Sequence, residues 1–191
     1  SGAWDSLPAA RAASIFFDLA ALAGLFVLGR RLIAGAGGTR LGIVLAFAWA
    51  AFPYTAFALQ SNSNDALVGA LVVWALVAIA SPMGRGALLA VASAVKFAPL
   101  ALVPMFATGE RGLADRMEGV FSSRDHETSR LRSALSSLRP VICFAGIFIA
   151  TAALLLLHPA VDPGLATFFD RTVVTQIGRT SPFSIWGQVS W

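Results

Sequence analysis

The sequence predicts an all-α, polytopic transmembrane bundle of about five to six membrane-embedded helices, one pair of them a half-span hairpin. Three observations predict it. The chain is 57% apolar with a mean hydropathy of +0.75 and only 13% charged, where soluble domains carry about 25% charge. The missing charge is concentrated in long blocks, several of which reach the ~20 apolar residues that a helix needs to cross a bilayer. The remaining cations are almost all Arg and lie beside those blocks, the usual bias of cytoplasmic loops.

The elements follow in order. A first helix is expected over about 12–33 and ends on Arg30 and Arg31, followed by a Gly-rich turn, Gly35 to Gly38, and Arg40. A second is expected over about 41–59, with Pro53 in its second half. The polar loop Gln60-Ser61-Asn62-Ser63-Asn64-Asp65 follows, then a third helix over about 65–80 that stops at Ser81-Pro82-Met83-Gly84-Arg85-Gly86. The next apolar run contains Lys96, Pro99 and Pro104 and divides into helices 86–96 and 98–107. Proline disfavours helical geometry in the residue before it, so a break near Lys96-Phe97-Ala98-Pro99 is natural. A cytoplasmic segment, 108–139, precedes a helix at about 140–157 and an extracytoplasmic tail, 158–191. Within 108–139, Leu113, Met117 and Phe121, and again Leu131, Leu135 and Leu138, fall at helical spacing, fitting either short amphipathic surface helices or a solvated linker. The chain starts at Ser1 and stops after Trp191 within a polar, aromatic stretch, and reads as a single membrane domain cut from a longer protein.

Orientation follows from the arginines. The loop with Arg30, Arg31 and Arg40 is expected in the cytoplasm, Gln60 to Asp65 outside, and Arg85 inside again. If 86–107 crossed once, the arginines of 108–139 would lie outside, against that bias. Folding back at Lys96 keeps them inside and puts the tail outside, so the site is expected to face the extracytoplasmic side of the membrane.

Charge and motifs exclude other classes. A net charge of +4 and a pI near 10.6 do not indicate nucleic acid, because the arginines form no dense patch. Cys143 is alone, and His126 and His158 are far apart, so neither a metal nor a cofactor is expected. There is no phosphate-binding Gly-rich loop and no hydrolase or metalloprotease signature.

The residues that could carry chemistry are few. Lys96, the only lysine, lies about ten residues, or roughly 15 Å, from either end of its apolar run. An ammonium there normally faces a cavity or a partner rather than lipid; the alternative is snorkelling to an interface. Asp18 is an intramembrane carboxylate in the outer third of the first helix that either pairs with a cation or sits at a wet helix end. Asn62, Asn64 and Asp65 suit sugar hydroxyls, although Asn64 or Asp65 also suits an N-cap. In the tail, Arg171 and Arg179 suit a phosphate. Asp170 and Gln176 add polar contacts, and Trp186 offers a flat face for a sugar ring or acts as an interfacial anchor. With the fold-back topology, these groups lie toward one membrane face.

The segment SNSNDALVGALVVWALVAIASPMGRGALLAVASAVKFAPLALVPMFA, and above all AVKFAP within it, resembles integral membrane glycosyltransferases of family 87, in the type C superfamily. The tail FFDRTVVTQIGRTSPFSIWG and the opening LPAARAASIFFDLAALAGLFVLGRRL are similar to segments of the same group. The resemblance implies transfer of a sugar from a polyprenyl-phosphate donor to an extracytoplasmic lipid or glycan acceptor, with inversion and with a carboxylate as general base. That base usually lies in the first extracytoplasmic loop, of which Asp5 would be at most a remnant, so no catalytic residue is assigned and the excerpt alone is expected to be inactive. Lys96, Arg171 and Arg179 are the expected donor-phosphate contacts. The competing reading is a transporter or lipid flippase with Lys96 and Asp18 along its path; no internal repeat supports it.

Overall fold

The computed structural model describes residues 7–61, 63–109 and 127–175. All regular structure among them is helical: α1 (Leu7–Leu32), α2 (Ala36–Ala51), α3 (Pro53–Gln60), α4 (Asp65–Val77), α5 (Pro82–Val95), α6 (Ala98–Gly109, opening with a 3₁₀ turn), α7 (Glu127–Val161) and α8 (Leu165–Phe169), which runs into a π turn at Asp170–Val174. Two helical stretches, Leu7–Leu32 and Leu138–Val161, are long and apolar enough to cross a membrane. The pair α2 and α3 makes a third if counted as one bent span. The described residues form two compact units, Ser1–Ala152 and Ala153–Trp191.

Two elements differ from those expected, the first for a local reason. The helix expected over 41–59 starts earlier, at Ala36, and breaks at Phe52, whose extended backbone lets Pro53 open α3 at a 56° bend. Proline lacks the N–H that would continue α2, yet is at home in a first turn. Residues 127–139, expected within a separate segment, continue without interruption into the apolar helix α7. Leu113, Met117 and Phe121 lie outside the described residues.

In the first unit, helices meet through small residues. The buried positions of α1 are Ser14, Asp18, Ala21, Gly24 and Gly29, mostly three or four apart and so on one face. Gly29 and Gly42 bring the backbones of α1 and α2 into contact: a Cβ on Gly29 would lie 2.3 Å from the Gly42 nitrogen. Gly24 admits Val73 and Trp74 of α4, and Gly69 of α4 admits the ring of Trp49. The Trp74 indole donates to the Ala20 carbonyl at 3.0 Å, fastening α4 to α1. Where surrounding lipid is as apolar as leucine, such close packing is a main source of helix association. Large apolar side chains, among them Phe16, Leu19, Ile43, Phe47 and Ile149, are left exposed.

The run after Ser81 folds back. Ser81 caps α5, accepting from the Gly84 N–H at 3.2 Å. α5 ends at Lys96, which is extended (φ −153°, ψ 136°), and α6 begins after Phe97. The return is fixed by Arg85 at the start of α5, whose guanidinium donates to the carbonyl of Ile79, just past α4, and to that of Ala107 near the end of α6. Arg85 is only 2% exposed and also lies over the Phe144 ring, 5.8 Å from its centroid. Gly109, at φ +61°, lets the chain pass close beside it. Ala75, Leu89, Phe106 and Phe144 complete the core here, one residue from each of α4, α5, α6 and α7.

Replacing Gly29 with Val should therefore destabilise the protein by about 1–3 kcal/mol or more, the range for overpacking. Gly146→Ala should be neutral or stabilising, since a Cβ there meets open space in a helix. Thermal melts of both variants in the same detergent check the pair; equal midpoints would contradict the α1–α2 contact.

Candidate functional site

The end of the first unit opposite Arg85 is where the polar residues gather. The loop after α3 returns the chain into α4 with Asp65 at its first turn, and the end of α5 delivers Lys96 beside it. The Lys96 ammonium forms an ion pair and hydrogen bond with Asp65 Oδ1. Asp65 Oδ2 accepts from the Tyr54 hydroxyl at 3.0 Å, and the Asp65 N–H donates to Ser63 Oγ at 3.1 Å. Asn64 precedes α4 but makes no side-chain cap; its amide reaches the Val95 carbonyl at 3.5 Å, against the end of α5. Three helices thus meet on one carboxylate.

The exposure of the pair bears on its chemistry. The Lys96 side chain is 49% exposed and that of Asp65 is 21% exposed. The ammonium is neither sealed in the core nor spent entirely on Asp65, since it has three donors. An anion arriving from the open side would find a compact positive charge already held in place.

Asp18 lies close by on α1. It is 9% exposed, and its Oδ1 accepts from the Trp49 indole at 2.8 Å. Thr55 Oγ1 donates to the Trp49 carbonyl at 2.9 Å, joining the Phe52 N–H on a group that Pro53 cannot serve. Asp18 and Asp65 line one cleft of about 120 Å³, together with Trp49, Phe52, Tyr54 and Thr55.

Of the residues singled out from sequence, the structure therefore brings together Asn64, Asp65 and Lys96, and puts Asp18 on a cleft that Asp65 also lines. Asn62, Gln176, Arg179 and Trp186 lie outside the described residues. Asp170 and Arg171 are exposed on the π turn of the second unit. There the Asp170 carbonyl accepts from Thr175 Oγ1 at 2.9 Å. Sequence reasoning passed over Tyr54 and Trp49, and took Ser63 only as one of the hydrogen-bonding groups of the loop 62–65. A signal was present for Tyr54, the only tyrosine, directly after the proline in an otherwise apolar block; a phenol placed there needs a partner for its hydroxyl.

Among the described residues, no group of three or more His, Cys, Asp or Glu is arranged to hold a metal. No family model, curated protein or solved structure matches the chain.

The Asp65–Lys96 contact should show itself as a coupling. Asp65→Asn and Lys96→Met should each lower stability by about 1 kcal/mol or less, solvent screening being appreciable at this exposure. The double variant should cost less than their sum. A double-mutant cycle on melting free energies that adds without coupling would show that the pair does not form.

Proposed function

We propose that this chain is the membrane-embedded part of a glycosyltransferase that moves a sugar from a polyprenyl-phosphate donor to an extracytoplasmic lipid or glycan acceptor. The observation that carries the reading is the lone ammonium of Lys96 at the break between α5 and α6, held by Asp65 yet half exposed. The similarity of the surrounding AVKFAP segment and of the DRT…GRTSPFSIWG tail to family 87 enzymes supports it. In this reading the chain is multi-pass, with α5 and α6 as a half-span hairpin and the arginine-rich loops in the cytoplasm.

The parts divide simply. Lys96 supplies a point charge for the donor phosphate, and Asp65 keeps that charge at the helix break when no donor is bound. Asp65, Asn64 and the neighbouring Asn62 offer polar atoms to sugar hydroxyls. Arg171 and Arg179, as donor-phosphate contacts, and Asp170, Gln176 and Trp186, as sugar or acceptor contacts, enter the proposal from the sequence and its resemblance alone. Positioned charges of this kind act on the leaving phosphate as negative charge grows on it, where one well-aimed donor is worth about 10²–10³ in rate.

A second reading, a lipid-linked-sugar carrier, draws on two broken helices in one unit, the 56° bend at Pro53 and the break at Lys96. Discontinuous helices lining a polar site are the hallmark of many transporters.

Two measurements test the proposal. In a background with Cys143 replaced by Ser, a membrane-impermeant thiol reagent applied from outside intact cells should label Ser61→Cys and Phe97→Cys, but not Gly35→Cys; the reverse pattern would reject the orientation. Transfer of radiolabelled sugar from a polyprenyl-phosphate donor by membranes containing the intact gene product should fall about 100-fold in Lys96→Ala, with partial recovery in Lys96→Arg. Full activity in Lys96→Ala would remove the donor site. Movement of the donor across vesicles without any transfer would favour the carrier.

A further inference from the structure

The cleft beside Asp18 carries chemistry that a phosphate and sugar site does not use. Its volume, about 120 Å³, is somewhat below that of an apolar cavity of about 150 Å³ that accepts benzene. It therefore takes a group of roughly four to six heavy atoms. Three of its walls are the aromatic side chains of Trp49, Phe52 and Tyr54, and its charged groups are the carboxylates of Asp18 and Asp65. Among the described residues, no cationic side chain lines it.

The two carboxylates are not equivalent. Both oxygens of Asp65 are taken, one by the Lys96 ammonium and one by the Tyr54 hydroxyl. Asp18 is 9% exposed, and its only hydrogen-bond donor among the described residues is the neutral indole of Trp49, on Oδ1. Oδ2 accepts from none of them. An indole N–H satisfies a lone pair but leaves the charge uncompensated, and a buried charge is costly unless paired.

We propose that this cleft is a binding site for a small alkylammonium group, its nitrogen on Asp18 Oδ2 and its carbons against the aromatic walls. An ammonium is drawn to aromatic faces as well as to a carboxylate. Hard metal cations are a poor match, since they take six or more oxygen ligands and these walls are largely carbon. Anions have no donor to bind, the Thr55 hydroxyl being committed to the Trp49 carbonyl. The proposal is independent of sugar transfer and stands or falls apart from it.

The test is calorimetric titration of the purified protein, in nanodiscs of phosphatidylglycerol, with n-butylammonium chloride and with n-butanol as its neutral counterpart. Saturable binding of butylammonium and none of butanol is expected. Asp18→Asn, which keeps an oxygen for Trp49, should bind at least tenfold more weakly while melting as the unmodified protein does. Ala58→Leu fills the cleft from its aliphatic wall without altering charge, and should abolish binding even if the Asp18 variant fails to fold. Unaltered affinity in either folded variant, equal binding of butanol, or no saturable binding to the unmodified protein would overturn the site. A further arm adds phosphatidylethanolamine to the discs. Weaker apparent butylammonium affinity there assigns the ammonium to a lipid headgroup, and unchanged affinity assigns it to a free amine; both support the site.

Discussion

A backbone carbonyl left without a donor in an apolar interior is the constraint on which this structure depends. Every helix ends with carbonyls that lack intrahelical partners, and short helices multiply such ends. At one end of the first unit, arginines answer the need. Arg85 donates to Ile79 and Ala107, and Arg31 to Val77. Cations at helix C-termini also meet the negative end of the helix dipole. A guanidinium suits this task because its donors are fixed in a plane and can reach separate chain segments. Because Arg85 is buried, its links to α4 and α6 are shielded from the solvent that weakens surface contacts.

That single group decides where the opposite end lies. With Ala107 held beside the first turn of α5, α6 runs back along the same core that α5 lines, and Phe106 and Leu89 share it. The break between the two helices is thereby carried to the far end, where Lys96 meets Asp65. Were the run 86–107 a continuous helix, Arg85 and Ala107 would be about 33 Å apart. Packing at one end and the polar cluster at the other are thus two consequences of one fold-back.

Reading the sequence reached the helical class and singled out Lys96, because both rest on local composition: long uncharged blocks and one charge inside one of them. Pro53 was visible as an oddity, but the bend it makes was not, since proline permits a kink without setting an angle. The pairings are another matter. Lys96 and Asp65 are 31 residues apart, as are Trp49 and Asp18. Which residues face each other depends on how each helix is rotated about its axis. A helix that is apolar all round carries little hydrophobic patterning to fix that rotation. The better clue is the small residues: Gly24, Gly29, Gly42 and Gly69 all mark places where neighbours come close. Arg85 was read only as a marker of sidedness, and nothing in its local sequence distinguishes a buried arginine from a loop arginine.

Helix lengths give the polar end its depth. α4 and α5 have 13 and 14 residues, so each is only about 20 Å long, short of the ~30 Å hydrocarbon thickness. Lys96 lies 11 positions beyond Arg85 and Asp18 lies 13 before Arg31, which sets them about 16 Å and 20 Å from the arginine end. If that end meets one interface, both charges sit near mid-membrane, where an isolated one costs about 2.5–3.5 kcal/mol. Lys96 recovers part of this through Asp65 and by being half exposed. Among the described residues, Asp18 has only an indole. Their part of the unit therefore carries, near one depth, a cation with its anion and an anion without a cation. A helix packing scheme that needed only stability would have put an apolar side chain at position 18.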